Sequence, residues 1–183
     1  MSAFDPLRTL QRWSDCEDKV GVENETQDWK LVWELGEHLR QRPDRISQTQ
    51  ALTLDKGRPL MGLKGAAGLY GSTEWWESIA SGRIPCEQRI GTITKLVFAG
   101  QDARWGNEVN SFEMTLDSGN VVLESIRSSS KEDHGLFKLG ATVSATYALD
   151  ELRKQPGPDG EVNCLAILLE MKLISAPPRS SPV

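Results

Sequence analysis

Between Gly62 and Gly82 the chain reads GLKGAAGLYGSTEWWESIASG, with a glycine at every third position from Gly62 to Gly71. Glycine-rich loops ahead of helices are where phosphates bind, because free N–H groups and the helix dipole both face an anion. The spacing here argues otherwise. A phosphate-binding loop of the Walker kind needs a lysine just before its closing Ser or Thr, and Tyr70-Gly71-Ser72 stands there instead. The dinucleotide pattern G-x-G-x-x-G behind a buried strand is also absent. Glycines three apart predict a chain that bends tightly against its neighbours. The loop is structural.

Ser72 then caps a short helix, STEWWESIA, which Gly82 ends. Trp76, Ile79 and Ala80 share one face of it. Trp75 is turned from Trp76 by about 100°, since about 3.6 residues make a turn. One tryptophan of the pair is expected in the core, and the other over a second element or in solvent. An exposed Trp75 would be an interface anchor.

Upstream, Asp5-Pro6 is a helix start, and Leu7, Leu10 and Trp13 share a face of the amphipathic helix it opens. A second helix is predicted from Asn24 or Thr26 to Pro43, with Trp29, Val32, Trp33, Gly36 and Leu39 at helical spacing. Asn24 with Gln27 fits a capping box. His38, near the end of that helix, reads as a surface or capping residue. From Ile46 to Leu63, two short apolar runs flank Asp55-Lys56-Gly57, which reads as a hairpin.

The second half reads as strands: RIGTITKLVFAG, VNSFEMTL, NVVLESIR, LGATVSATYALD and VNCLAILLEMKLIS. Asp117-Ser118-Gly119-Asn120 is a tight hairpin connection. The last run, apolar on both faces from Cys164 to Leu169, is expected to be a central strand that alternates as it leaves the core. The expected fold is α+β. N-terminal helices and a hairpin (1–87) pack on a five-stranded antiparallel small β-barrel (88–175), OB-like or SH3-like, in one compact unit. Residues 176–183, Pro- and Ser-rich, read as a mobile tail.

At 183 residues, with 38% hydrophobic and 26% charged side chains, the composition is that of a soluble globular protein. No apolar run approaches the roughly 20 residues that span a bilayer, and no membrane role is expected. The sequence MSAFDPLRTLQRW lacks the layout of a secretory signal. Cys16, Cys86 and Cys164 are few, scattered and odd in number, which points to a reducing cytoplasm.

Net charge is −5, unevenly spread. Residues 40–64 carry six basic and two acidic side chains, whereas 105–170 carry eleven acidic and five basic. This balance suits a basic protein partner better than a phosphate backbone, which needs clustered Lys and Arg.

Catalytic constellations are hard to find. The chain has two histidines, His38 and His134, neither in a nucleophile signature. Lys131-Glu132-Asp133-His134 gathers carboxylates and an imidazole in a polar loop, the one place for acid–base chemistry. No Cys-x-x-Cys or His-x-x-x-His spacing suggests zinc, and no cofactor is expected. Arg104 and Trp105, in the loop AGQDARWGNE, are the residue types most enriched in binding hot spots. The candidate binding residues are therefore Arg104, Trp105, Trp75, Arg58 and Lys64.

These residues favour a non-enzymatic protein that binds another, basic, protein, as an inhibitor or an immunity factor would. Two alternatives stand beside it: a nucleic-acid-associated protein using residues 40–64 with the barrel loop, and an enzyme built on His134.

Overall fold

In the computed structural model, the described residues are 28–99 and 109–174. They form an α+β fold whose six-stranded antiparallel sheet has the order β1-β6-β5-β2-β3-β4. The elements are β1 (Lys30–Glu34), α1 (Leu35–Gln41), α2 (Asp44–Leu54), α3 (Thr73–Ala80), β2 (Cys86–Val97), β3 (Ser111–Leu116), β4 (Val121–Ser125), α4 (Lys131–His134), β5 (Thr142–Glu151) and β6 (Cys164–Ile174). The α+β class and the five strands of the second half follow the expectation. The sixth strand, β1, does not.

β1 occupies part of the segment predicted as one long helix. A register shift between Leu31 and Trp33 interrupts its pairing with β6. The bulge breaks the two-residue alternation, so the consecutive residues Val32 and Trp33 are both buried. Val32, Trp33, Gly36 and Leu39 thus imitate one helical face while belonging to a strand and a helix. Helix α1 takes up the second half, burying Leu35 and Leu39 one turn apart.

The predicted hairpin at 46–63 is a helix followed by a loop. α2 has little amphipathic character and buries only Thr53. Tertiary contacts hold it instead, among them Gln50 Nε2 donating to the Tyr70 carbonyl at 2.9 Å. The Asp55-Lys56-Gly57 turn is real, but it ends the helix: the Gly57 N–H donates to Asp55 Oδ1 at 2.7 Å.

The chain divides into two compact units. The first gathers Leu35–Glu87 and Tyr147–Leu169. Its core contains Leu39, Leu63, Trp75, Trp76, Ile79, Ile84, Ala148 and Leu169. Here the glycine series packs on the helices. At Gly68, where φ is +103°, a Cβ would lie 2.6 Å from the Trp75 amide nitrogen of α3. At Gly71 it would lie 3.1 Å from Ile46 of α2. Ser72 caps α3 by accepting from the Trp75 N–H at 3.2 Å, as predicted.

The second unit, described at 28–34, 88–99, 109–146 and 170–174, holds Val32, Ile93, Phe112, Met114, Phe137, Val143, Ala145, Met171 and Leu173 in its core. The 117–120 turn joins β3 to β4 as expected, with the Gly119 N–H on the Leu116 carbonyl at 2.8 Å.

Strand β6 departs from its predicted burial. Its buried residues are Leu169, at the end of the apolar run, and Met171 and Leu173 in the alternating half, while Leu165 is 46% exposed. The physical reason is lateral cover: β1 pairs with β6 along Glu170–Leu173, not along the all-apolar run. The predicted first helix, the Asn24–Gln27 cap and the tail fall outside the described residues.

Candidate protein-binding surfaces

The sequence-predicted residues lie in different settings. Trp75 is fully buried, not an exposed anchor, and Trp76 is buried beside it. The Gly68 loop lies against the α3 backbone at Trp75, and Tyr70 and Asp150 both reach the Trp75 side chain, so the ring is enclosed. The two tryptophan rings meet edge-on with centroids 4.8 Å apart, and Tyr70 packs on Trp75 at 5.1 Å. Trp75 Nε1 donates to Asp150 Oδ2 at 2.8 Å, satisfying a buried donor. Burial, partly offset by this hydrogen bond, raises the Asp150 carboxyl above the ordinary aspartate value. Trp75 and Asp150 are therefore a structural pair. Arg104 and Trp105 lie outside the described residues.

Arg58 and Lys64 are solvent-accessible and each faces a carboxylate. The Arg58 Nε lies 3.6 Å from Asp55 Oδ2, and Lys64 Nζ lies 2.5 Å from Glu151 Oε2. Arg40 pairs with Glu37 and Arg42 with Asp44 in the same way. The basic run is thus interleaved with acids and does not present a bare positive stripe at these four positions.

Around Arg58 the first unit displays Leu54, Leu60 and Met61, at 62%, 63% and 52% exposure. This apolar trio escapes sequence reading because the segment that ends at Leu54 has the composition of a hairpin and folds as a helix. The loop beneath it is held in place. Arg153 Nη1 donates to the Asp55 carbonyl at 2.8 Å, and its backbone N–H donates to the Gly62 carbonyl at 3.0 Å. Apolar side chains on a loop pinned this way form a ready contact surface.

In the second unit, β2, β3 and β4 bury one face and expose the other. On the inner face Phe112 and Met114 are fully buried, and Arg89 Nη1 donates to Glu124 Oε1 at 2.9 Å. The outer face has two rungs set by register: Thr92, Thr115 and Val121, then Lys95, Glu113 and Leu123. Lys95 Nζ meets Glu113 Oε1 at 2.9 Å across the second rung. Val121 and Leu123 stand out at 59% and 58% exposure, on the strand that ends the sheet order. Half-exposed apolar side chains on an end strand are a recognised pairing surface.

The acid–base cluster has its own arrangement. His134 is exposed at the end of α4, its ring 6.4 Å from that of Phe137. Asp133 is engaged with Lys30 Nζ at 2.6 Å and with the Ser130 hydroxyl at 2.8 Å. The hydrogen bond from Lys30 leads in holding the Asp133 carboxyl below its ordinary value, with Ser130 next. No group of three or more His, Cys, Asp or Glu suited to a metal ion occurs among the described residues.

A family model described as Immunity protein RhsI2 matches residues 29–174, from just before β1 to the end of β6. No curated protein matches the chain.

Proposed function

The chain belongs to the RhsI2 immunity protein family, and we propose that it protects its cell by binding a protein toxin and holding it inactive. Its role is immunity-like protein binding without enzymatic turnover. The family match over residues 29–174 carries this reading.

The finer features of the partner follow from charge and exposure. A net charge of −5 suits a basic toxin, because opposite fields speed encounter and fix orientation. Leu54, Leu60 and Met61 offer apolar contact area, with Arg58 and Lys64 as charged contacts beside them. Since both cations are exposed and already paired, replacing either by alanine is expected to weaken toxin binding less than about tenfold. The protein acts in the cytoplasm on this reading, supported by its three scattered cysteines, of which Cys86 and Cys164 are unbridged. No described helix is long and apolar enough to cross a membrane.

The test is co-expression. Cells producing the toxin should survive only when this chain is also made, and the two should co-elute as a stoichiometric complex that nuclease does not dissolve. Protection without a complex, or a complex lost on nuclease treatment, would overturn the reading.

A further inference from the structure

We propose that the open edge of β4 is a strand-addition site, onto which an extended segment of the toxin pairs through its backbone. This rests on the toxin-binding reading above and specifies where and how the partner docks. The geometry begins with hydrogen-bond alternation. The Leu116 N–H donates to the Asn120 carbonyl at 2.8 Å, and the Ile126 N–H to the Asn110 carbonyl at 2.9 Å. These bonds bracket the β3–β4 ladder, whose register runs from Thr115↔Val121 to Ser111↔Ser125 without interruption. In an antiparallel ladder hydrogen-bonded pairs alternate with non-bonded ones. The bonded pairs are therefore Met114↔Val122 and Phe112↔Glu124. Val121, Leu123 and Ser125 form the non-bonded pairs, so their N–H and C=O groups point away from β3.

No described strand lies beyond β4, which ends the sheet order. The same residues that direct their backbone outward also carry exposed side chains: Val121, Leu123 and Ser125 are all exposed. Protein sheets commonly guard such an edge with lysine, proline or a bulge. The opposite end strand is built that way, with Lys30 at its start and a bulge between Leu31 and Trp33. β4, reading VVLES, has no lysine, proline or bulge; its one charged residue, Glu124, faces inward and meets Arg89. Its outward positions Val121 and Leu123 are apolar and exposed.

Such an edge accepts a strand whose main chain supplies the hydrogen bonds and whose alternate side chains lie beside Val121 and Leu123. A second copy of this chain would meet it with an identical charge of −5, which opposes self-pairing. A basic toxin meets it with the opposite sign. The expected occupant is therefore an extended toxin segment with apolar residues at alternate positions.

The experiment compares amide exchange, residue by residue, in the full chain alone and in the complex purified after co-expression with the toxin. Alone, the amides of Val121, Leu123 and Ser125 should exchange rapidly while those of Val122 and Glu124 are protected. In the complex the first three should slow by at least about a hundredfold. Leu123→Pro removes an outward-facing donor and leaves the β3 ladder bonds in place, as tolerated on edge strands. It should weaken toxin affinity more than about tenfold with the fold retained, as should the backbone-preserving guard Leu123→Lys. If the complex forms but the three amides stay fast, strand addition is overturned while the immunity role stands. That outcome is read on the wild-type chain alone, whatever the proline variant does. Weakening by Leu123→Lys but not by Leu123→Pro would show side-chain docking on the sheet face and equally overturn it. Protected edge amides in a chain that sediments as a dimer would overturn the toxin as occupant and assign the edge to a second copy. Absence of any complex would remove the toxin-binding reading itself.

Discussion

Gly68 shows how a single residue sets the distance between two elements. Its positive φ alone strains any other residue, and a Cβ there would collide with the backbone of α3 at Trp75 and Glu74. Gly82 has a similar φ of +75° but open space around it. The pair separates strain from crowding. Gly82→Ala is expected to cost about 1–2 kcal/mol, the usual penalty of left-handed backbone. Gly68→Ala should cost roughly 3 kcal/mol or more, because the loop must also move off the helix. Equal losses in denaturant unfolding would show that the close approach is unimportant.

Asp150 poses the opposite problem, a buried acid where an amide would serve. Its raised pKa means that the folded state favours the protonated form. The stabilisation this group gives is present below the ordinary aspartate pKa and is lost as pH rises through the raised value. Asp150→Asn keeps an oxygen to accept the Trp75 Nε1–H and carries no charge to desolvate. The variant should melt at or above the wild-type temperature at neutral pH, and its advantage should shrink on acidification. A clear loss at neutral pH would mean that the carboxylate charge itself is required.

At the scale of elements, the legible parts were those with strong local signals. Ser72 announced α3, and its hydroxyl does cap the Trp75 N–H. Ser72→Ala should cost about 1 kcal/mol, within the usual range for a lost cap, measured as a shift of the urea midpoint at constant slope. Strands β3 and β5 were legible because one face of each is apolar and the other is not, and β4 because the Asp117–Asn120 turn leads into it. β1 was hidden by its bulge, which places Val32 and Trp33 on the same side and gives a strand the look of a helix. α2 was hidden for a different reason: its sequence, DRISQTQALTL, has no clear apolar face. Its loop partners, Tyr70 and Gly71, make it a helix worth keeping.

At the scale of the whole molecule, the acidic charge favoured a protein partner, with a nucleic-acid and an enzymatic reading beside it, and the family match assigns the chain to immunity. If its toxin is basic, as proposed, their complex should form more slowly as salt rises, the association rate falling at least about tenfold between low and near-molar salt. A rate indifferent to salt, measured by stopped-flow mixing, would exclude electrostatic steering. The contact residues were less legible. Arg58 and Lys64 stand in solvent, but the pairing of each with Asp55 and Glu151 is a matter of folding. Trp75 could be singled out by type, yet only its place between Tyr70, Trp76 and Asp150 makes it core.

Local chemistry written along the chain therefore determined the caps, the turns, the alternating strands and the acidic charge, whereas the class of function came from the family match. Tertiary structure alone decided that β1 joins the distant β6, that Trp75 is buried, and that β4 ends the sheet with Leu123 outward. The reason is physical. Capping and alternation are satisfied by neighbours a few residues apart, whereas sheet order and burial depend on which distant segments close on one another.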